Sequence, residues 1–234
     1  MVCRSNGRCQ DTQPVSARVV EAYIGEYASG KSEMAINRAL ELKSQGRQVT
    51  LVDLDTVEPF YTLRPLKEFL EQQGLTVIGL SKPDSFGLGE TGAMLAPAAR
   101  WALRREGDVI FDVGYGVYGA RTLNLVEDAE SSAELRVIAV INYSRPMTGS
   151  KARIIEYIKE LGRVDALVAN THLGDETTLE IIEEGTRIII ECAEEMGIPV
   201  DYIAVDKKFS GKWNPDLFPV PVKWITRYMP AAMW

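Results

Sequence analysis

Histidine is almost missing from this chain and cysteine is scarce, at one and three in 234 residues. Cys3 and Cys9 stand in a polar N-terminal stretch and Cys192 lies far away in a helical pattern, an odd count without metal-ligand spacing. Free thiols are expected, and a chain of this length buries roughly 70–75% of its unfolded surface without needing a staple. Disulfide scaffolds are therefore excluded. The lone His172 supports no Ser-His-Asp or Cys-His arrangement, and its place after Asn170 reads as a solvent-exposed loop.

Long apolar runs are also missing. Nowhere do about 18 consecutive apolar residues occur, so no helix is expected to cross a bilayer. Basic charge is in deficit, with Lys+Arg 26 against Asp+Glu 33 and a formal net charge of −7. That is the wrong sign for general affinity to nucleic acid or anionic membrane. Lys223 and Arg227 are isolated among apolar residues and do not form a basic amphipathic anchor. The opening MVCRSNGRCQDTQPVS lacks the apolar core of a secretory signal. These features predict a cytoplasmic protein with a flexible tail over 1–16 and a single domain over 17–234.

What is present is alternation. Seven β-rich apolar runs, at 18–24, 48–53, 75–80, 108–112, 135–142, 166–170 and 200–205, are separated by amphipathic helical patterns. Nearly continuous Val, Ile, Leu and Ala in such runs is the mark of parallel strands covered on both faces. The pattern predicts a three-layer α/β/α fold with a mainly parallel sheet of about seven strands. After Gly30, Met34, Ala35, Ala39, Leu40 and Leu42 make an amphipathic stripe, and Leu179, Ile182, Ile189, Ala193 and Met196 make another. The Glu-rich remainder of the second helix reads as solvated surface. From Trp213 onward, WNPDLFPVPVKWITRYMPAAMW is expected to pack on the core, covering the sheet edge, or else to expose an apolar surface.

The strongest local signal is Gly25-Glu26-Tyr27-Ala28-Ser29-Gly30-Lys31-Ser32, a full GxxxxGK(S/T) run between a predicted strand and a predicted helix. Gly25 and Gly30 let the backbone curl so that its N–H groups face inward, and the helix N-terminus adds positive dipole for a phosphate. Lys31 reaches the β/γ-phosphates, and the Ser32 hydroxyl is placed to ligate Mg²⁺.

Phosphoryl chemistry further needs a metal and an oriented nucleophile, and ligands gather outside the carboxyl ends of strands in open α/β sheets. Asp112 closes the apolar run DVIFD and reads as the Walker B acid that holds Mg²⁺ directly or through water. Asp53 and Asp55 of VTLVDLD point to the same side of an extended strand and are candidates for the metal-water network, with Asp55 orienting the attacking water. Gly114 is the candidate sensor of the γ-phosphate, because glycine permits a close backbone approach.

Together GEYASGKS, VTLVDLD and FDVGYG resemble the SIMIBI class of phosphate-loop NTPases, in particular the CobQ/CobB/MinD/ParA nucleotide-binding domain family. Further stretches, VDLDTVEPFYTLRP, INYSRPMTGS and VANTHLGDETT, are similar to an ATP-binding subgroup of it that lacks the signature lysine. The resemblance implies the fold, ATP and Mg²⁺. It also implies that Asn170, with Thr171 beside it, recognises the purine. MinD/ParA-like ATPases carry a second lysine early in the loop, where this chain has Glu26, a carboxylate that would repel phosphate. Arg64 and Arg145 are candidates for the missing charge, although surface or capping roles suit each.

Three functions stay open. The first is an Mg²⁺-dependent ATPase of slow turnover that switches an unknown protein partner, with homodimer formation allowed. The second is a phosphotransferase, which needs an Arg-rich lid or second anion pocket; Arg104-Arg105 is the short arginine cluster of note and suits a helix C-terminus. The third is a non-hydrolysing nucleotide-binding scaffold. The Asn-Lys-x-Asp string of GTPases is absent, Asn170-Thr171-His172-Leu173 standing in the corresponding stretch.

Overall fold

Apolar runs of three to seven residues make eight strands in the computed structural model, which describes residues 17–55, 63–79 and 95–229. They are β1 Val20–Gly25, β2 Val49–Leu54, β3 Thr76–Ile78 (a short one), β4 Asp108–Val113, β5 Leu135–Ile141, β6 Ala166–Ala169, β7 Val200–Asp206 and β8 Val222–Ile225. All neighbours pair in parallel, in the order β3-β2-β4-β1-β5-β6-β7-β8. The tail expected over 1–16, the strand end at Leu80, the Arg64 side chain and residues 230–234 lie outside the described residues.

Helices connect the strands and cover both faces: α1 Lys31–Ser44, α2 Lys67–Gln72, α3 Gly116–Ala120, α4 Lys151–Leu161 and α5 Leu179–Met196. Alternate residues of each strand feed opposite faces. Tyr23, Leu51, Ile110, Ile138 and Val140 meet Met34, Ala35, Ile36, Ala39 and Leu42 of α1 and Leu70 of α2. Ala22, Ile24, Phe111, Ala139 and Ile203 meet Ile154 and Ile158 of α4 and Ile182, Ile189 and Cys192 of α5. Each large aliphatic side chain so buried contributes about 1.5–3 kcal/mol. Helix α5 has local start and stop signals: the Thr178 hydroxyl accepts from the Ile181 N–H, and Gly197 ends the helix in the left-handed region at φ 66°.

The eighth strand is the departure from the expected seven. β8 pairs with β7 over Val222–Ile225 and extends the sheet, while Trp213 packs into the core. No helix among the described residues is long and apolar enough to cross a membrane.

This topology fixes where a ligand can sit. β1 lies between β4 and β5, so successive strands are added first on one side of it and then on the other. A crevice opens at the carboxyl ends at such a switch point, and the loop leaving β1 there is Gly25–Lys31.

Candidate functional site

The loop after β1 is built on two glycines that no other residue replaces easily. Gly25 has φ 153°, and a Cβ there would stand 2.5 Å from the Val140 carbonyl oxygen and 2.7 Å from Ser29 Oγ. Gly30 has φ 94° and would drive a Cβ into the Asn170 amide. Between them the chain turns back, the Ser29 N–H donating to the Glu26 carbonyl at 3.1 Å. Helix α1 then starts, the Met34 N–H donating to the Gly30 carbonyl at 3.0 Å.

Lys31 curls back over this loop, its Nζ donating to the Glu26 carbonyl at 3.1 Å. Burial pulls its pKa down, while Asp112, Asp55 and Glu26 push it up. Glu26 itself lines a separate shallow groove with Val117, Tyr118, Arg121, Met147 and Tyr157. Glu26 is thereby part of that groove and not of the main cleft's lining.

Asp53 and Asp112 are register partners on β2 and β4, and both are buried. Asp53 Oδ1 accepts from the Asp55 N–H at 2.9 Å, which turns the chain so that Asp55 reaches the cleft. Neither Asp112 oxygen closes a hydrogen bond, with the Ser32 hydroxyl near enough to favour the charged form. Burial, then the Asp53 charge, pushes the Asp112 carboxyl up to about 8, with Lys31 opposing. Two buried carboxyls beside a hydroxyl are a hard-oxygen donor set, which suits Mg²⁺. No group of three or more His, Cys, Asp or Glu among the described residues could hold a metal. Mg²⁺ is commonly bound by one or two carboxylates plus substrate phosphates and water, so Ser32, Asp53 and Asp112 fit it as a partner of bound phosphate.

Gly114 abuts Asp55: a Cβ on Gly114 would stand 3.4 Å from Asp55 Oδ1. α3 presses on this turn through Gly119, where a Cβ would collide with the Gly114 carbonyl group. The Tyr27 and Tyr115 rings meet edge to face at 5.2 Å, joining the phosphate loop to the turn after β4.

The cleft continues from the loop across the ends of β5 to β8, with about 1040 Å³ of space including its open mouth. Asn170 and Thr171 follow β6. The Asn170 amide donates to the Ser29 carbonyl at 2.7 Å and so braces the loop. The Thr171 hydroxyl accepts from the Tyr143 N–H, and the side chain fits against Gly185 of α5. His172, expected in solvent, is half-buried on the cleft wall. Asn142 folds it inward, accepting from the His172 N–H at 3.2 Å and donating to its carbonyl at 3.0 Å. Burial, reinforced by Arg145, Arg227 and Lys208, lowers the His172 imidazole to about 4. It is neutral at pH 7, and Nδ1 accepts from the Gly174 N–H, so Nε2 carries the proton.

On the far wall, the sequence singles out Arg145 alone, as a candidate for the missing loop charge. That wall holds Arg145 after β5, Asp206 at the end of β7, Phe209 just beyond it and Arg227 after β8. Glu33, in the first turn of α1, accepts from the Tyr228 and Met229 N–H groups at 2.8 and 2.7 Å. One turn later Asn37 pairs with both the N–H and the carbonyl of Thr226. The segment after β8 is thereby held against the cleft, which Ile225, Arg227 and Met229 line.

No family model and no curated protein matches the sequence. Solved structures do. The cell division protein FtsY of Thermotoga maritima aligns over 83% of this chain with TM-score 0.57 and 24% identity. The signal recognition particle receptor FtsY of Elizabethkingia anophelis, in complex with GDP, aligns over 84% with TM-score 0.56 and 19% identity. The signal recognition particle 54 kDa protein of Aeropyrum pernix, also in complex with GDP, aligns over 82% with TM-score 0.50 and 22% identity. This chain spans 65%, 59% and 42% of their respective lengths. At these identities the likeness is one of fold: the chain has the three-layer α/β/α fold of phosphate-loop NTPases.

Proposed function

We propose that residues 17–234 form one nucleotide-binding domain that binds a nucleoside triphosphate with Mg²⁺, hydrolyses it slowly and signals the nucleotide state to a protein partner. The observation that carries this reading is the placement of the Gly25–Ser32 loop, with buried Lys31, beside the in-register pair Asp53 and Asp112 at the switch point of a parallel sheet. A curled loop at a helix N-terminus is suited to a polyphosphate, and a hydroxyl with two carboxylates is suited to its metal.

Roles follow from position. Loop N–H groups and Lys31 bind and orient the phosphates, and Ser32, Asp53 and Asp112 would hold Mg²⁺, which when bound neutralises phosphate charge. Asp55, facing the cleft beside Gly114, is placed to orient an attacking water. Gly114 permits the close approach by which the turn after β4 would register the terminal phosphate. That turn leads directly into α3, and with it to the exposed Tyr118, so an ordered turn would alter the surface offered to a partner.

ATP is the proposed nucleotide, on the resemblance of VDLDTVEPFYTLRP, INYSRPMTGS and VANTHLGDETT to the ATP-binding subgroup of the CobQ/CobB/MinD/ParA family. GTP is the necessary comparison, since two of the similar structures are GDP complexes. The test is release of phosphate from Mg-ATP and Mg-GTP by the purified protein, with Lys31→Ala as the blank for contaminating activity. Turnover of ATP above that blank, and above GTP, is expected. Binding of ATP without turnover would overturn the hydrolytic part and leave a scaffold or a phosphotransferase awaiting its acceptor.

A further inference from the structure

Arg145 stands on the cleft wall with no carboxylate partner among the described residues, unlike Arg227, which lies 2.7 Å from Asp175 and 3.9 Å from Asp206. Its Nε donates to the Ala28 carbonyl of the phosphate loop at 3.0 Å. Its terminal nitrogens make no hydrogen bond among the described residues. Burial works against its charge, pulling the pKa down.

The side chain is also held in place from behind. The Arg145 N–H donates to the Asn142 carbonyl at 3.1 Å, and the Arg145 carbonyl accepts from the Thr148 N–H at 3.0 Å. Asn142 in turn binds Ser144 and both polar groups of the His172 backbone. A guanidinium anchored this firmly and left without an anion is preorganised for a ligand.

Sheet order says which part of the ligand. Asp53 and Asp112, on β2 and β4, lie to one side of β1, so the metal and the terminal phosphate belong there. Arg145 follows β5, on the other side, where the rest of the cleft extends past His172 to Asp206 and Phe209. A nucleotide with its phosphates on the loop runs its nucleoside that way. The guanidinium is planar, weakly hydrated and suited to aromatic faces.

We propose that Arg145 contacts the base of the bound nucleotide, laying its guanidinium plane against the ring while Nε stays on the Ala28 carbonyl. The inference rests on the nucleotide-binding reading above. Every base offers a π-face, so Arg145 strengthens binding of ATP and GTP alike and does not choose between them.

The test is calorimetric titration of the wild type, Arg145→Ala and Arg145→Lys with Mg-ATP, Mg-GTP and Mg-tripolyphosphate, with thermal melts to confirm folding. Arg145→Ala is expected to weaken both nucleotides about tenfold and to leave tripolyphosphate within about twofold of wild type. Arg145→Lys, which keeps the charge without the plane, remains weaker than wild type for both nucleotides. An equal loss for tripolyphosphate would make Arg145 a phosphate ligand or a brace of the loop, and unchanged nucleotide affinity would remove it from the site; either overturns the inference. Wild-type protein that binds tripolyphosphate but neither nucleotide overturns it too, whereas binding of none of the three overturns the nucleotide reading itself.

Discussion

Asp53 and Asp112 sit side by side in register on adjacent strands, both buried, at the edge of the sheet where the phosphate loop begins. Two buried carboxyls so placed suit a divalent cation. Lys31→Ala and Asp112→Ala are each expected to reduce Mg-ATP affinity roughly ten- to a hundredfold, the range for losing a hydrogen-bonded charge. Titration calorimetry measures this, and far-UV circular dichroism confirms that both variants are folded. Wild-type affinity in both would sink the site.

The same pair stores a conflict in the free protein. Asp112→Asn keeps the shape and removes one of two adjacent buried acids, so the metal-free, nucleotide-free variant should melt about 2–4 °C higher per kcal/mol of relieved repulsion. Its Mg-nucleotide binding should fall at the same time. A lower melting temperature would show that the carboxyls do not oppose each other.

Gly119 has no room for a side chain, because a Cβ would press into the Gly114 carbonyl group. Gly119→Ala should cost about 1–3 kcal/mol by overpacking and displace the turn that faces Asp55. Urea unfolding measures the first effect. Retained stability would mean that α3 slides freely on the turn.

His172 gives a pH signature. Its folded value of about 4 lies below the ordinary 6.5, so between these the unfolded chain binds the proton and the folded chain does not. Stability therefore falls as pH drops from about 6.5 to about 4. His172→Asn, which retains an acceptor for the Gly174 N–H, should lose that part of the slope. Thermal melts across this window decide it, and identical slopes for variant and wild type count against a buried neutral imidazole.

The grip of α1 on the chain after β8 depends on Asn37, which satisfies both polar groups of Thr226. Asn37→Ala should weaken it by about 1–3 kcal/mol and speed amide exchange at 226–229, leaving β1 and β4 protected. Unaltered exchange there would mean that Glu33 alone holds the segment.

The parts of the site visible in the sequence are those whose physics is local. A curled loop needs glycines at fixed spacing, and an apolar strand ending in Asp announces a carboxyl at the sheet edge; thus Gly25–Ser32, Asp53 and Asp112 could be placed before any coordinates. The far wall as a whole could not, because Arg145, singled out only as a candidate for the missing loop charge, meets Asp206, Phe209 and Arg227 only when β5 to β8 line up. His172 misled for the same reason: its loop position suggested solvent, but Asn142, thirty residues earlier, folds its backbone inward. β8 was hidden by its brevity and by Pro221 just before it, and it needs only one neighbouring strand.

The hold of Glu33 and Asn37 on residues 226–229 also bears on how the protein is handled. Any bulk attached next to Met229 would sit beside the cleft, which that residue lines. Residue 17 precedes β1 at the opposite edge of the sheet, roughly 20 Å away along a six-residue strand. A tag for binding work is therefore better carried next to residue 17 than next to Met229, whereas a dye beside Met229 would report on whether the cleft is filled.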